Sequence, residues 1–165
     1  MGSPGTSYGR WHAARHGAAI VPAPTGARMV KLRQYIPRLA AGAYILNSGL
    51  SKRGADKDAS EGMHGMAAGA YPFLGEVEPQ QFAKTLSTTE IALGAALVTP
   101  FVPTALVAPA LAAFSAGLVG LYLKTPGMTR EDGVRPTDEG IGLAKDVFLL
   151  GIAGGLLADV LSRKK

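Results

Sequence analysis

The chain reads as an all-α integral membrane four-helix bundle, and three observations carry that reading. From Ile91 to Leu123 there is no Asp, Glu, Lys, Arg or His. Only 18% of the 165 residues are charged against 47% hydrophobic, with a mean hydropathy of +0.17; soluble domains carry about 25% charged residues. Finally, the basic residues gather at the two ends. Arg10, Arg15, Arg28, Lys31, Arg33 and Arg38 all precede the first acidic residue, Asp56, and the chain closes on Arg163-Lys164-Lys165. Such hydrophobicity excludes disorder over the whole chain. The absence of cysteine excludes disulfide scaffolds, thiol chemistry, Cys-ligated zinc and iron–sulfur clusters.

Residues 1–30 are rich in Gly, Ala and Pro, and basic. They read as a disordered cytoplasmic tail, because Ala18-Ala19-Ile20-Val21 is too short for the apolar core of a signal peptide. Its arginines suit contact with anionic lipid; an inert tail, or a true start at Met29, competes with that role. The first span, roughly 34–53, has a short apolar stretch flanked by Lys31 and Arg33 on one side and Lys52 and Arg53 on the other. Arg38 is expected to snorkel to the headgroups.

The charge-free run would extend roughly 50 Å as one helix, against a hydrocarbon core of about 30 Å. Thr99-Pro100-Phe101-Val102-Pro103 therefore divides it. Two prolines end one helix and start the next, with Pro103 suited to the first helical position. The result is a tight hairpin of spans at roughly 80–99 and 103–123, with Pro109 as a kink in the second. Two buried helices of a soluble protein would show an amphipathic period, which the run lacks. The fourth span, roughly 139–160, is apolar apart from Lys145, Asp146 and Asp159.

An even number of spans puts both basic ends on one side, and the positive-inside rule places both termini in the cytoplasm of a cell membrane. The +5 charge follows from this topology, with no nucleic acid needed as a partner. Ionisable groups inside spans are costly and mark candidate sites. Glu90, Lys145 and Asp146 fall in the outer half of their spans, where Lys52 closes the first helix with Asn47 just beneath it. Glu90 is expected to pair with Lys145 or Lys52. Such a cluster is either functional or only fixes helix register.

Gly151 and Gly155 form a G-x-x-x-G pair, and Ala113 and Gly117 a small-x-x-x-small pair, suited to close packing within the chain or to an oligomer. Met63, His64 and Met66 are a weak thioether–imidazole set for copper, and an interfacial role suits the segment better. His12 and His16 lie in the tail, and no histidine lies in a span, so a bis-histidine haem and a Ser-His-Asp set are both excluded.

Four features in order resemble the DoxX family of small bacterial membrane proteins. The first helix ends Ser48-Gly49-Leu50-Ser51-Lys52; the second carries Glu90 and then Gly94; a short hairpin follows; and the fourth opens Lys145-Asp146-Val147-Phe148-Leu149-Leu150-Gly151 and continues Gly154-Gly155-Leu156-Leu157. Asp146 stands where the family has asparagine. The resemblance covers roughly 32–160. It implies a bacterial inner-membrane, redox-associated protein, an accessory or anchoring subunit of a quinone-linked or oxidative-stress system with a redox enzyme as partner. Catalysis by the chain itself is not implied, nor is any cofactor of its own beyond an unassigned quinone. A small-solute transporter or permeation unit, and a purely structural bundle, are the alternatives.

Overall fold

The computed structural model describes residues 25–162, with side chains from Leu32 onward. The expectations for the N-terminal tail as far as residue 24, and for Arg163-Lys164-Lys165, lie outside the described residues. Six α-helices follow in order: α1 (Thr25–Lys52), α2 (Lys57–Ala70), α3 (Pro79–Val98), α4 (Thr104–Lys124), α5 (Ile141–Ala144) and α6 (Val147–Ser162), with a 3-10 turn at Pro72–Leu74 between α2 and α3. No strand occurs among the described residues; Thr129 and Pro136 form an isolated bridge.

The helix boundaries have local causes. Asp56 accepts a hydrogen bond from the Ala59 amide at the start of α2. Glu78 accepts from the amides of Gln80 and Gln81 at the start of α3, where Pro79 takes the first turn. Residues before proline avoid the helical region, and Thr99, ahead of Pro100, is extended. Pro103 is likewise extended and stands just before α4, so Thr104, rather than Pro103, is its first helical residue. α4 runs on through Pro109.

One apolar core joins the four long helices. Ala41 and Ile45 come from α1, Leu93 and Leu97 from α3, Val107, Ala108 and Leu111 from α4, and Leu149, Ala153 and Leu156 from α6. Two stretches, Thr104–Lys124 and Ile141–Ser162, are long and apolar enough to cross a membrane. Most of their surface faces away from the rest of the chain: 28% of the most apolar window of the first is buried, and 17% of the second. Phe101, Leu106 and Phe148 are among the large apolar side chains left exposed.

The closest approach of backbones is between α1 and α3. A Cβ on Gly94 would stand 2.6 Å from the Leu46 amide nitrogen and 2.8 Å from the Gly42 carbonyl oxygen. Gly49 is as tight, 2.8 Å from the Ile91 nitrogen. Only glycine allows these helices to touch there. Gly151, Gly155 and Gly117, singled out by spacing in the sequence, face open space instead. Spacing says which residues share a helix face, and the three-dimensional arrangement decides which faces meet.

Three further differences separate the observed elements from the expected ones. α1 starts at Thr25, ahead of the expected span, and contains Pro37. The segment between the first two spans, expected as a loop, contains α2, whose buried face is Ser60, Ala67 and Ala70. The fourth apolar segment is divided at Lys145-Asp146, where the Asp146 amide bonds the Leu143 carbonyl in a tighter turn between α5 and α6. The hairpin at 99–103 marks one end of the four long helices, the hairpin end. The connections at 53–78 and 125–140 mark the other, the loop end.

Candidate functional site

At the loop end, Glu90 on α3 is 3% exposed. Its carboxylate receives the Lys52 ammonium at 2.9 and 3.1 Å. Ser48, one turn below Lys52 on α1, accepts from that ammonium and donates to Glu90 at 3.4 Å. Ser87, one turn from Glu90 on α3, donates to the Gly49 carbonyl at 2.8 Å. The glycine contact at Gly49 lets α1 and α3 approach closely enough for these short side chains to reach across. Of the two expected lysines, Lys52 is the partner.

Asp146 is buried at the turn between α5 and α6, within electrostatic reach of Lys52, Glu90 and Tyr44. No hydrogen bond to its carboxylate occurs among the described residues. Lys52 and Glu90 cancel each other's charge, so Asp146 is a third ionisable group placed beside a completed pair. Lys145 and Asn47 are both exposed and hold no hydrogen bond or ion pair in the cluster. At the break between α5 and α6, Asp146 turns inward and Lys145 stays exposed. Ser48 occupies the place in the network that the sequence suggested for Asn47.

The hairpin end holds a second polar group. Arg38 does not snorkel; it is 4% exposed. Its guanidinium donates to the carbonyls of Ala96 at 3.0 Å, Leu97 at 3.1 Å and Thr99 at 2.9 Å, and to the Thr104 hydroxyl at 3.0 Å. The last turn of a helix leaves carbonyls without intrahelical donors. Arg38 supplies those donors and ties the end of α3 to the start of α4. Thr104 donates to Gln34 at 2.9 Å, and Gln34 and Arg33 both bond Asp159 of α6. No short sequence pattern pointed to this set; the one available signal was a run of cations, Arg33 and Arg38, with no acid nearby in the chain.

The thioether–imidazole segment has a structural use. The His64 Nε2–H donates to the Leu74 carbonyl at 2.9 Å, and its ring meets Phe82 edge-on with centroids 5.6 Å apart. These contacts fasten α2 to the 3-10 turn and to α3. Tyr71 then reaches α4, donating to the Gly117 carbonyl at 2.8 Å, while the Lys124 ammonium lies 4.5 Å above its ring. Among the described residues no three His, Asp or Glu side chains converge to hold a metal ion.

Comparison with protein-family models, with curated proteins and with solved structures finds no match to this chain. The DoxX resemblance therefore stands on the four sequence features alone.

Proposed function

We propose that the chain is a four-helix integral membrane bundle of a cell membrane, with both termini cytoplasmic, that serves as an accessory or anchoring subunit of a membrane redox system. The observation that carries the membrane part is the outward apolar surface of α4 and of Ile141–Ser162, whose most apolar windows are 28% and 17% buried. In water that surface would stand exposed, and a bilayer is the solvent that suits it. The subunit role draws support from the DoxX-like features and from the way the polar groups are used. Glu90 is matched by Lys52, and Arg38 by backbone carbonyls, so both act inside the helix packing.

Two measurements test the two parts separately. After high-speed centrifugation without detergent, the expressed protein should be in the pellet and should resist carbonate extraction; recovery in the supernatant would overturn the membrane reading. Affinity purification from native membranes should bring down a redox enzyme in fixed ratio. Recovery of the chain with no such enzyme removes the subunit role.

Asp146 favours a second reading. An acid without a hydrogen-bond donor beside an ion pair suits a small-solute or proton path. Reconstituted vesicles would then show a flux that Asp146→Asn abolishes.

A further inference from the structure

We propose that the loop end carries a binding site for one anionic phospholipid, its phosphate held between Arg53 and Lys84 and one acyl chain laid along the groove between α3 and α4. The inference rests on the chain being membrane-embedded and goes beyond the subunit role.

A cavity of about 950 Å³ opens where the end of α1, the start of α2 and the first half of α3 meet. Its lining mixes polar and apolar surface and includes three cations, Lys52, Arg53 and Lys84, with hydroxyls from Ser60, Thr85 and Thr88. Glu78 is the acidic side chain lining it besides, and it is already bonded to the amides of Gln80 and Gln81. Lys52 is neutralised by Glu90. Arg53 and Lys84 have no carboxylate partner among the described residues. With Lys52 and Glu90 cancelling, Arg53 and Lys84 against Glu78 leave the cavity one net positive charge. The Ser60 hydroxyl adds an independent sign. It is the one buried side-chain polar atom, among the described residues, with no hydrogen-bond partner. Buried hydroxyls are normally satisfied, and a phosphate oxygen or its bound water would complete this one.

The cavity continues into an apolar groove of about 710 Å³ that shares Lys84, Thr85 and Thr88 with it. The groove follows Ala92, Leu93 and Ala96 on α3 and Leu106, Val107 and Ala110 on α4 as far as Val102 in the hairpin. From Lys84 to Ala96 it covers about 18 Å of helix. A cationic head site joined to an apolar channel along the membrane normal has the shape and polarity of an anionic lipid. A free anion would leave the groove unused, and a neutral amphiphile would leave Arg53 and Lys84 unmatched.

The test is native mass spectrometry of the full chain in mild detergent, titrated with phosphatidylglycerol, with phosphatidylcholine of the same chains, with inorganic phosphate and with a neutral isoprenoid quinone. Phosphatidylglycerol should form a single tight adduct. Arg53→Gln with Lys84→Gln should weaken it about 30-fold, at about 5-fold per cation near a membrane surface. Arg130→Gln with Arg135→Gln, the same charge change in the 125–140 connection, should leave it within about 2-fold. Ala92→Trp should fill the groove and weaken the lipid without changing phosphate binding, which also serves if the double variant does not fold by circular dichroism. Binding of phosphate as tight as the lipid, equal binding of phosphatidylcholine, or quinone binding indifferent to Arg53→Gln each overturns the proposal. Recovery of the protein from the supernatant without detergent would instead strike at the membrane reading beneath it.

Discussion

The two ends of the four long helices solve the same problem by different chemistry. Each must bury polar groups where apolar side chains dominate. At the loop end, a side-chain anion meets a side-chain cation, Glu90 with Lys52. At the hairpin end, a cation meets backbone: Arg38 donates to three carbonyls and a hydroxyl. Removing both members of a charge pair leaves no charge behind, whereas carbonyls cannot be mutated away. The loop end is thus replaceable in principle and the hairpin end is not. The two sets stand about 21 Å apart along α1, counted from Arg38 to Lys52. That is less than the roughly 30 Å hydrocarbon core, so in a membrane both cannot sit at headgroup level, and internal pairing is what makes them tolerable.

The sharpest way to break this contrast is at Arg38. Arg38→Ala leaves the Ala96 and Leu97 carbonyls without donors, and Thr99 with only the long Val102 amide bond, and should cost about 3–5 kcal/mol in thermal unfolding in detergent. Arg38→Lys should recover less than half of that, because an ammonium lacks the planar fork that reaches several acceptors. A fully stable Arg38→Lys would mean that charge alone matters there.

At the loop end, Lys52→Met alone should cost about 3 kcal/mol by stranding the buried Glu90 carboxylate, and Glu90→Gln less, because the Lys52 side chain is 25% exposed. The double variant should come back to within about 1 kcal/mol of the parent. Additive losses in that double-mutant cycle would show that the two residues do not act as a pair. Retained stability with a lost co-purifying enzyme would move the pair from packing to function.

The glycines sharpen the picture of which helix faces meet. Gly94→Ala pushes a methyl against backbone atoms of α1 and should destabilise by about 1–3 kcal/mol. Gly151→Ala enters open space, and in a helix it should be neutral or stabilising by up to about 1 kcal/mol. Equal effects would say that Gly151 is covered by another copy or a partner in the membrane.

The smallest expected effect lies outside the apolar segments. The Arg135 guanidinium and the amides of Arg135 and Val134 hold the Asp132 carboxyl below its ordinary pKa. A lowered folded-state pKa means that this contact is intact above the ordinary aspartate range and is lost as pH falls through the depressed value. Asp132 is exposed, so global stability should hardly respond. Hydrogen exchange at Val134 and Arg135 should quicken as Asp132 protonates, and unchanged exchange would mean the turn is held by other bonds.

Much of the fold was legible in the chain because its signals are local. The prolines at 100 and 103 place the α3–α4 hairpin to within about one residue, since proline acts on its own and the preceding residue. Lys52 and Glu90 were readable as a possible pair because hairpin topology brings their helix ends to the same level. α2 was legible only in hindsight. Asp56 caps it and Ser60, Ala67 and Ala70 form its inner stripe, but Gly62, Gly65 and Gly69 disguise it as a loop. Arg38 was misread because a lone arginine near a span end fits snorkelling equally well. Its acceptors are carbonyls, which every residue carries and no sequence pattern marks.

What the sequence determined by itself is the solvent preference of each segment and the places where helices stop, because both depend on side chains within a turn or two. What only the tertiary structure decided is which faces touch. Gly42, Gly49 and Gly94 are chosen over Gly151 and Gly155, Lys52 over Lys145, and the α3 carbonyls over water. Those choices depend on how helices far apart in the chain rotate and cross, and many rotations satisfy the same hydrophobic pattern until shape, charge and hydrogen bonding select one.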